Sequence, residues 1–109
     1  MRRVSFRPLA DRDLAEIWQF TAEHWGRGQA DNYVAAIREV TEGLASHSER
    51  SPEAVHLYPG LRKARSGSHQ IYFLANEQGV DVVRILHGSM DANAALQRLS
   101  GEDALKEWR

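Results

Sequence analysis

The chain has 109 residues, 42% of them hydrophobic and 27% charged, and its 14 basic and 15 acidic side chains leave a net charge of −1. This length and balance predict one globular domain over residues 1–109, exclude a disordered chain, and give no electrostatic reason to expect direct, sequence-specific nucleic-acid binding. The absence of Cys excludes disulfides and cysteine-based zinc sites, and the apolar runs are too short to span a membrane or to form a signal peptide.

The first half of the sequence predicts a short strand followed by two helices. Alternation over residues 2–6 is typical of a strand, and Pro8 suits the first turn of a helix. Apolar residues then recur at steps of three and four over residues 10–25, which predicts the apolar face of a helix. A second such stripe covers residues 29–46 after a short glycine-containing loop, so we expect the two helices to form an antiparallel hairpin.

The second half predicts three strands, joined by tight turns, and a short helix. An irregular connection is expected first, and strands are then expected over residues 61–66, 69–75 and 80–87. The last of these is apolar on both faces apart from Arg84, which indicates a central strand. Residues 91–99 can form a short helix. Residues 100–109 are a tail, docked or frayed, in which Ser100 and Asp103 resemble a capping box before a last turn through Leu105 and Trp108.

This order of elements, β-α-α-β-β-β, predicts an α+β fold. The helix hairpin has one apolar side, and that side must be buried against a sheet. The three later strands should form an antiparallel meander, so the sheet is expected to be mostly antiparallel, with the N-terminal strand added to it. A short C-terminal helix completes the expected domain.

Three stretches of the sequence, in this order, resemble the RelE/ParE toxin superfamily and most closely its ParE-type members. They are DLAEIW (13–18) with WG (25–26), PGLR (59–62) with GSHQIYF (67–73), and VVRILHGSMD (82–91). The similarity extends over about residues 2–95, which is nearly the whole chain.

The resemblance implies a cytoplasmic toxin of a type II toxin–antitoxin system. Such a toxin is held inactive in a hetero-oligomer by a cognate antitoxin, whose disordered segment folds on binding. ParE-type members are associated with inhibition of DNA gyrase, whereas RelE-type members cut messenger RNA on the ribosome. We therefore expect a gyrase inhibitor that is not an enzyme and uses no cofactor or metal. The alternatives are a ribosome-dependent mRNA endonuclease and a non-toxic remnant that only binds its antitoxin.

Nuclease chemistry would require a proton acceptor, cations around the phosphate and an acid for the leaving oxygen. The side chains able to supply these lie on the predicted strands: Arg62, Lys63, Arg65, His69, Arg84 and His87. Many relatives place a basic residue just after the His-Gly of the last turn, where this chain has Ser89, and no tyrosine follows Tyr72. These departures favour a binding protein over a nuclease.

Strand alternation also argues against one cationic centre. It places Lys63 and Arg65 on one face of their strand and Arg62 on the other. It places Arg84 with Val82 and Leu86, and His87 with Val83 and Ile85, so we expect Arg84 and His87 not to share a site. We interpret His87 as bonded to the following turn and Arg84 as bonded to backbone carbonyls or to a carboxylate such as Asp91. We therefore assign no catalytic residue. The residues predicted to form the toxicity surface are Arg62, Lys63, Arg65, Arg84 and His87.

Three apolar residues outside the helical stripes are candidate antitoxin contacts. Phe20 lies off the apolar face of the first helix, and Leu57 and Tyr58 lie in the irregular connection. They are predicted to be exposed anchors for an amphipathic segment of the antitoxin. A separate set of aromatic residues, Trp18, Trp25 and Tyr33, is predicted to pack in the core and between the two helices.

Overall fold

The computed structural model describes residues 3–105, so Trp108 of the predicted last turn lies outside the described residues. The chain runs through strand β1 (Arg3–Phe6), helices α1 (Pro8–Trp25) and α2 (Arg27–His47), strands β2 (Arg62–Ser66), β3 (His69–Asn76) and β4 (Gly79–His87), and helix α3 (Ala92–Gln97). Single 3-10 turns follow α2 and α3, at Ser48–Arg50 and Gly101–Asp103. The predicted α+β fold is confirmed.

The helix hairpin forms because both helices have one apolar face and a single residue between them. Pro8 begins α1, and Gly26 separates α1 from α2 with a φ of 94°, a conformation that glycine adopts without steric cost. Trp18 is half-buried and donates from Nε1 to Asp31 Oδ1 across the hairpin, at 2.9 Å. The prediction that Trp25 packs in the core is wrong, because α1 ends there and the indole is 73% exposed.

The sheet has the strand order β1-β4-β3-β2, with β1 parallel to β4 and the other pairs antiparallel. Strand β4 is therefore central, as its apolar sequence predicts. Gly79 opens β4 opposite Arg3, and a side chain at this position would overlap the Arg3 backbone. The close pairing of β1 with β4 thus depends on a glycine.

Each face of the sheet carries its own apolar core. The helix hairpin covers the first face, where Ile37, Phe73 and Val82 are fully buried. The second face is covered by the 52–61 connection and by α3 with the turn after it, and its buried residues include Leu61 and Leu86. The sequence predicted that β4 is apolar on both faces, but it did not predict which segments cover the second face, because that cover has no regular periodicity.

A β-bulge changes the alternation along β4. Tyr72 pairs with Arg84 but Phe73 pairs with Val82, so Val83 is the extra residue between them. Val82 and Ile85 consequently belong to the first core, whereas Val83 and Leu86 belong to the second. The grouping predicted from regular alternation, with Val82 beside Leu86 and Val83 beside Ile85, is wrong.

The described part of the C-terminal segment is docked on the domain. Arg7 is 8% exposed and donates from Nη1 to the carbonyl oxygens of Asp103 and Ala104, at 2.8 and 3.2 Å. The capping box predicted at Ser100 does not form: its side chain caps nothing, and the Asp103 carboxylate accepts instead from the Leu9 N–H. Within residues 3–105, no helix combines the length and apolar character needed to cross a membrane.

Candidate functional site

An open cavity of about 350 Å³ lies between α1 and the adjoining ends of β3 and β4. Its apolar lining consists of Ile17 and Phe20 from α1, Ile85 from β4 and Met90 from the turn after β4. Its polar lining consists of Asp13, Glu16, Thr21, His69, Arg84 and His87. Concave sites with a largely apolar lining and a few convergent polar groups are where proteins most often bind other molecules.

A buried ion pair lies in the polar wall of this cavity. Arg84 donates from Nε and Nη2 to the two carboxylate oxygens of Asp13, at 2.7 and 2.8 Å, and Asp13 Oδ2 also accepts from the Ile85 N–H at 2.9 Å. The side chain of Asp13 is 8% exposed and that of Arg84 is 16% exposed. The hydrogen bonds that Arg84 donates to Asp13 raise the pKa of Arg84, against the opposing effect of burial. The pair therefore carries no net charge.

Two histidine rings face each other beside this ion pair. The centroids of His69 and His87 are 5.3 Å apart, and their planes are perpendicular. His69 lies opposite His87 in the β3–β4 ladder, which explains why two residues distant in sequence meet here. Burial lowers the pKa of His69, and the nearby His87 lowers it further, whereas Asp13 has a smaller, opposite effect.

Both histidines use their Nδ1 atoms within the domain. His87 Nδ1 accepts from the Ser89 backbone N–H at 3.1 Å, so the proton of the neutral ring lies on Nε2. His69 Nδ1 bonds to the Tyr33 hydroxyl at 2.8 Å, and that hydroxyl accepts from the Ser68 N–H, so its own proton can be donated to His69. The bond from Tyr33 and the lowered pKa both favour the neutral ring of His69.

This arrangement is poorly suited to phosphate chemistry. The only guanidinium or ammonium group lining the cavity within residues 3–105 is Arg84, and Asp13 neutralises it. Glu16 adds a negative charge at the same wall. Within the described residues no group of three His, Cys, Asp or Glu side chains could hold a metal ion. The site has the composition of a binding surface with an apolar floor and an acidic edge.

The structure brings Arg84 and His87 together, contrary to the prediction that they do not share a site. Strand β1 pairs with β4 only as far as Val82. Beyond it Asp13 of α1 accepts from Arg84 and from the Ile85 N–H, which brings the Arg84 side chain to the cavity that His87 also lines. Two interpretations made from the sequence are closer to the structure. His87 does bond to the following turn, at Ser89, and Arg84 does bond to a carboxylate, which is Asp13 rather than Asp91.

The three basic residues of β2 do not line this cavity. Arg62 donates to the Ser51 carbonyl at 2.6 Å and pairs with Glu53 at 3.3 Å. Arg65 donates to the Gly67 carbonyl at 3.0 Å. Alternation along β2 predicted that Lys63 and Arg65 lie on the face of the strand opposite Arg62. Lys63 pairs in register with Tyr72, whose side chain belongs to the second core, so Lys63 lies on that face of the sheet. The five candidate toxicity residues therefore form separate groups.

The three candidate antitoxin contacts also separate. Phe20 is 59% exposed and lines the cavity, with its ring stacked on His24 at a centroid distance of 4.0 Å. Leu57 and Tyr58 are half-buried against the second core, and the Tyr58 hydroxyl donates to the Leu105 carbonyl at 2.9 Å. The expectation that Leu57 and Tyr58 are exposed anchors is wrong, because the C-terminal segment packs over this part of the connection.

Comparison with known proteins decides the family. Residues 4–92 match the sequence profile described as the ParE toxin of the type II toxin–antitoxin system, parDE. The curated relatives include Toxin ParE1 of Mycobacterium tuberculosis, 33% identical over 95 residues that cover 86% of this chain and 97% of the relative. Toxin ParE1 of Caulobacter vibrioides is 34% identical over 94 residues, covering 86% of this chain and 95% of the relative.

The chain belongs to the ParE toxin family of type II toxin–antitoxin systems. A solved structure described as the chromosomal ParDE TA system from P. aeruginosa superposes with a TM-score of 0.68 at 19% identity. It covers 80% of this chain and 96% of that chain, and at this identity it supports the fold alone.

The residue that sequence analysis missed in this ParE toxin is Asp13. It lies among Ala10, Leu14 and Ile17 on the buried face of α1. A carboxylate within an apolar stripe needs a buried partner, and that spacing was the available signal. Glu16 and Met90 were missed as well, because their place in the cavity depends on tertiary contacts.

Proposed function

We propose that this ParE toxin inhibits growth by binding DNA gyrase in the cytoplasm and that a cognate antitoxin neutralises it in a hetero-oligomer. Membership of the ParE family supports the assignment to gyrase. The partner is supported by the ParDE toxin–antitoxin system from P. aeruginosa, whose solved structure has the same fold.

The observation that carries the binding function is the neutral Asp13–Arg84 pair in the cavity. A nuclease centre must stabilise extra negative charge on a phosphate, and unpaired cations do this best. Here the guanidinium is already bound at two positions by a carboxylate, and Glu16 adds a further negative charge. The cavity thus favours contact with a protein surface over RNA cleavage.

The test is a DNA supercoiling assay with purified gyrase and the purified chain, with and without antitoxin. We expect the chain to arrest supercoiling or to trap cleaved DNA, and added antitoxin to restore supercoiling. Full supercoiling activity at a large molar excess of the chain would refute the assignment to gyrase.

One observation favours the endonuclease as a second candidate. His69 and His87 face each other in an open cavity, at a spacing that could serve an acid and a base acting on one substrate. An in vitro translation reaction separates the two functions. Message cut at the ribosomal A site, and left intact by the His87→Ala variant, would assign the chain to RNA cleavage. Intact message would leave the gyrase proposal in place.

A further inference from the structure

The cavity has room and apolar surface for a side chain from another molecule. Its volume of about 350 Å³ is more than twice the roughly 150 Å³ that holds a benzene-sized group in a protein interior. Ile17 and Ile85 are buried in its wall, whereas Phe20 is 59% and Met90 50% exposed. Large apolar side chains exposed together around a concavity are typical of a protein interaction site.

The charge of the cavity defines what the partner must carry. The Asp13–Arg84 pair is neutral, and among residues 3–105 Glu16 takes part in no ion pair. Burial lowers the pKa of His69, which favours its neutral ring. The wall therefore has an excess negative charge at Glu16, which is complementary to a Lys or Arg and repels an acidic segment.

The spacing of these features matches a helical segment. Glu16 and Phe20 are one turn apart on α1, so their side chains lie next to each other along the edge of the cavity. A partner helix that presents a large apolar residue and a cation three or four positions apart would meet both of them. His87 adds a donor at Nε2, because its Nδ1 is already an acceptor, and this donor can bind a partner carbonyl.

We propose that this cavity is the docking site for one amphipathic segment of the antitoxin. The segment inserts a large apolar side chain beside Phe20 and Met90 and places a Lys or Arg against Glu16. This inference rests on the proposed function, since it presumes an antitoxin. It adds to that function the location of the contact and the chemistry of the segment that makes it.

The test measures the affinity of the full-length chain for the purified antitoxin, the product of the adjoining reading frame, by isothermal titration calorimetry. We expect Phe20→Ala and Glu16→Lys each to weaken binding by at least about tenfold. The matched controls are Trp25→Ala, an exposed aromatic on the same helix outside the cavity, and Glu39→Lys, an exposed glutamate on α2. The controls should change the affinity by less than about twofold. All four residues are exposed or at the cavity edge, and circular dichroism verifies that each variant is folded.

A charge-swap experiment tests the predicted ion pair directly. Each Lys or Arg of the antitoxin is changed to Glu and titrated against the Glu16→Lys toxin. One of these substitutions should recover at least about tenfold of the lost affinity. If none of them does, the cation is absent and the proposal is overturned.

The remaining outcomes distinguish this inference from the proposed function. If the wild-type toxin is neutralised by the antitoxin but Phe20→Ala and Glu16→Lys bind it as tightly as wild type, the cavity is not the docking site and the proposed function still holds. If these variants retain antitoxin binding but no longer inhibit gyrase, the cavity belongs to the gyrase contact. If the free chain forms a dimer that Phe20→Ala dissociates, a second copy occupies the cavity. If the wild-type chain binds no antitoxin at all, the proposed function fails and this inference fails with it.

Discussion

Removal of the Asp13 carboxylate should destabilise the domain more than removal of any exposed charge on the same helix. In Asp13→Ala, the Arg84 guanidinium loses both hydrogen bonds to the carboxylate and the Ile85 N–H loses its acceptor. Breaking a buried ion pair from one side costs about 3–5 kcal/mol, because the remaining charge stays buried without a partner. Arg84 is 16% exposed at the open cavity, and the hydration available there favours the lower end of that range. At about 4 °C per kcal/mol, a loss of about 3 kcal/mol lowers Tm by about 12 °C.

Two further variants separate the charge from the hydrogen bond. Asp13→Asn keeps an oxygen that can accept from the Ile85 N–H, and we expect it to cost about 1.5–3 kcal/mol, the value of hydrogen bonds to a charged group. The double variant Asp13→Asn with Arg84→Met also removes the unpaired guanidinium, so its stability should return to within about 1 kcal/mol of wild type. Asp11→Ala, in the exposed first turn of α1, is the matched control and should cost about 0.3–1 kcal/mol.

The measurement is urea unfolding followed by far-UV circular dichroism and tryptophan fluorescence, and the two signals should give the same transition. A cost below about 1 kcal/mol for Asp13→Ala would refute the reasoning, since it would mean that the carboxylate is effectively hydrated in the native state. The same conclusion would follow if the double variant were no more stable than Asp13→Ala.

Three other changes test the fold and the site. Gly79→Ala should lower the free energy of unfolding by at least about 1–3 kcal/mol, because φ is 142° and a Cβ would overlap the Arg3 backbone. Gly43→Ala, in open space on α2, should instead raise it by about 0.5–1 kcal/mol. Equal effects of the two substitutions in urea unfolding would contradict this account. Tyr58→Phe should lose about 0.5–1.5 kcal/mol with its bond to the Leu105 carbonyl, and an unchanged Tm would show that the C-terminal segment is held without it. Because the pKa of His69 is lowered in the folded domain, the unfolded chain binds a proton at this residue more readily. The contribution of His69 to stability is therefore complete above about pH 6.5. It is lost as the pH falls through the unfolded pKa towards the folded pKa. Urea unfolding between about pH 7.5 and about pH 5 should therefore show a smaller loss for His69→Gln than for wild type, and identical pH dependence would contradict the assigned direction.

The elements of the fold could be predicted because their signals are local. The apolar stripes of α1 and α2, the turns at Gly67 and Gly79, and the doubly apolar sequence of β4 each lie within one short segment. The cover on the second face of the sheet has no such signal. Its buried residues, such as Ala54, Leu61 and Leu105, come from irregular segments whose positions depend on distant parts of the chain.

The candidate site was predicted less well than the fold, and the physical reason lies in β4. Regular alternation separates Arg84 from His87, but two hydrogen bonds to Asp13 hold the Arg84 side chain at the cavity beside α1, which His87 also lines. The bulge at Val83, which changed the predicted grouping of the apolar residues along β4, has no reliable sequence signature, because valine is also typical of regular strands. Pairing between β3 and β4 must be known before the arrangement of the site can be predicted.

The ion pair also supplies a partner for the backbone of β4 beyond the end of β1. Asp13 Oδ2 accepts both from Arg84 Nε and from the Ile85 N–H, so the carboxylate of α1 binds a side chain and the adjoining backbone of β4 at once. Strand β1 pairs with β4 only from Gly79 to Val82, so the Ile85 N–H has no partner on β1, and the Asp13 carboxylate supplies its acceptor. The same contact fixes α1 against the sheet next to His87 and therefore sets the width of the cavity. A toxin whose binding surface is formed in this way has its partner contact and its folding stability coupled through one carboxylate. Substitutions at Asp13 should then lower stability and antitoxin affinity together, whereas substitutions at Phe20 should change affinity alone.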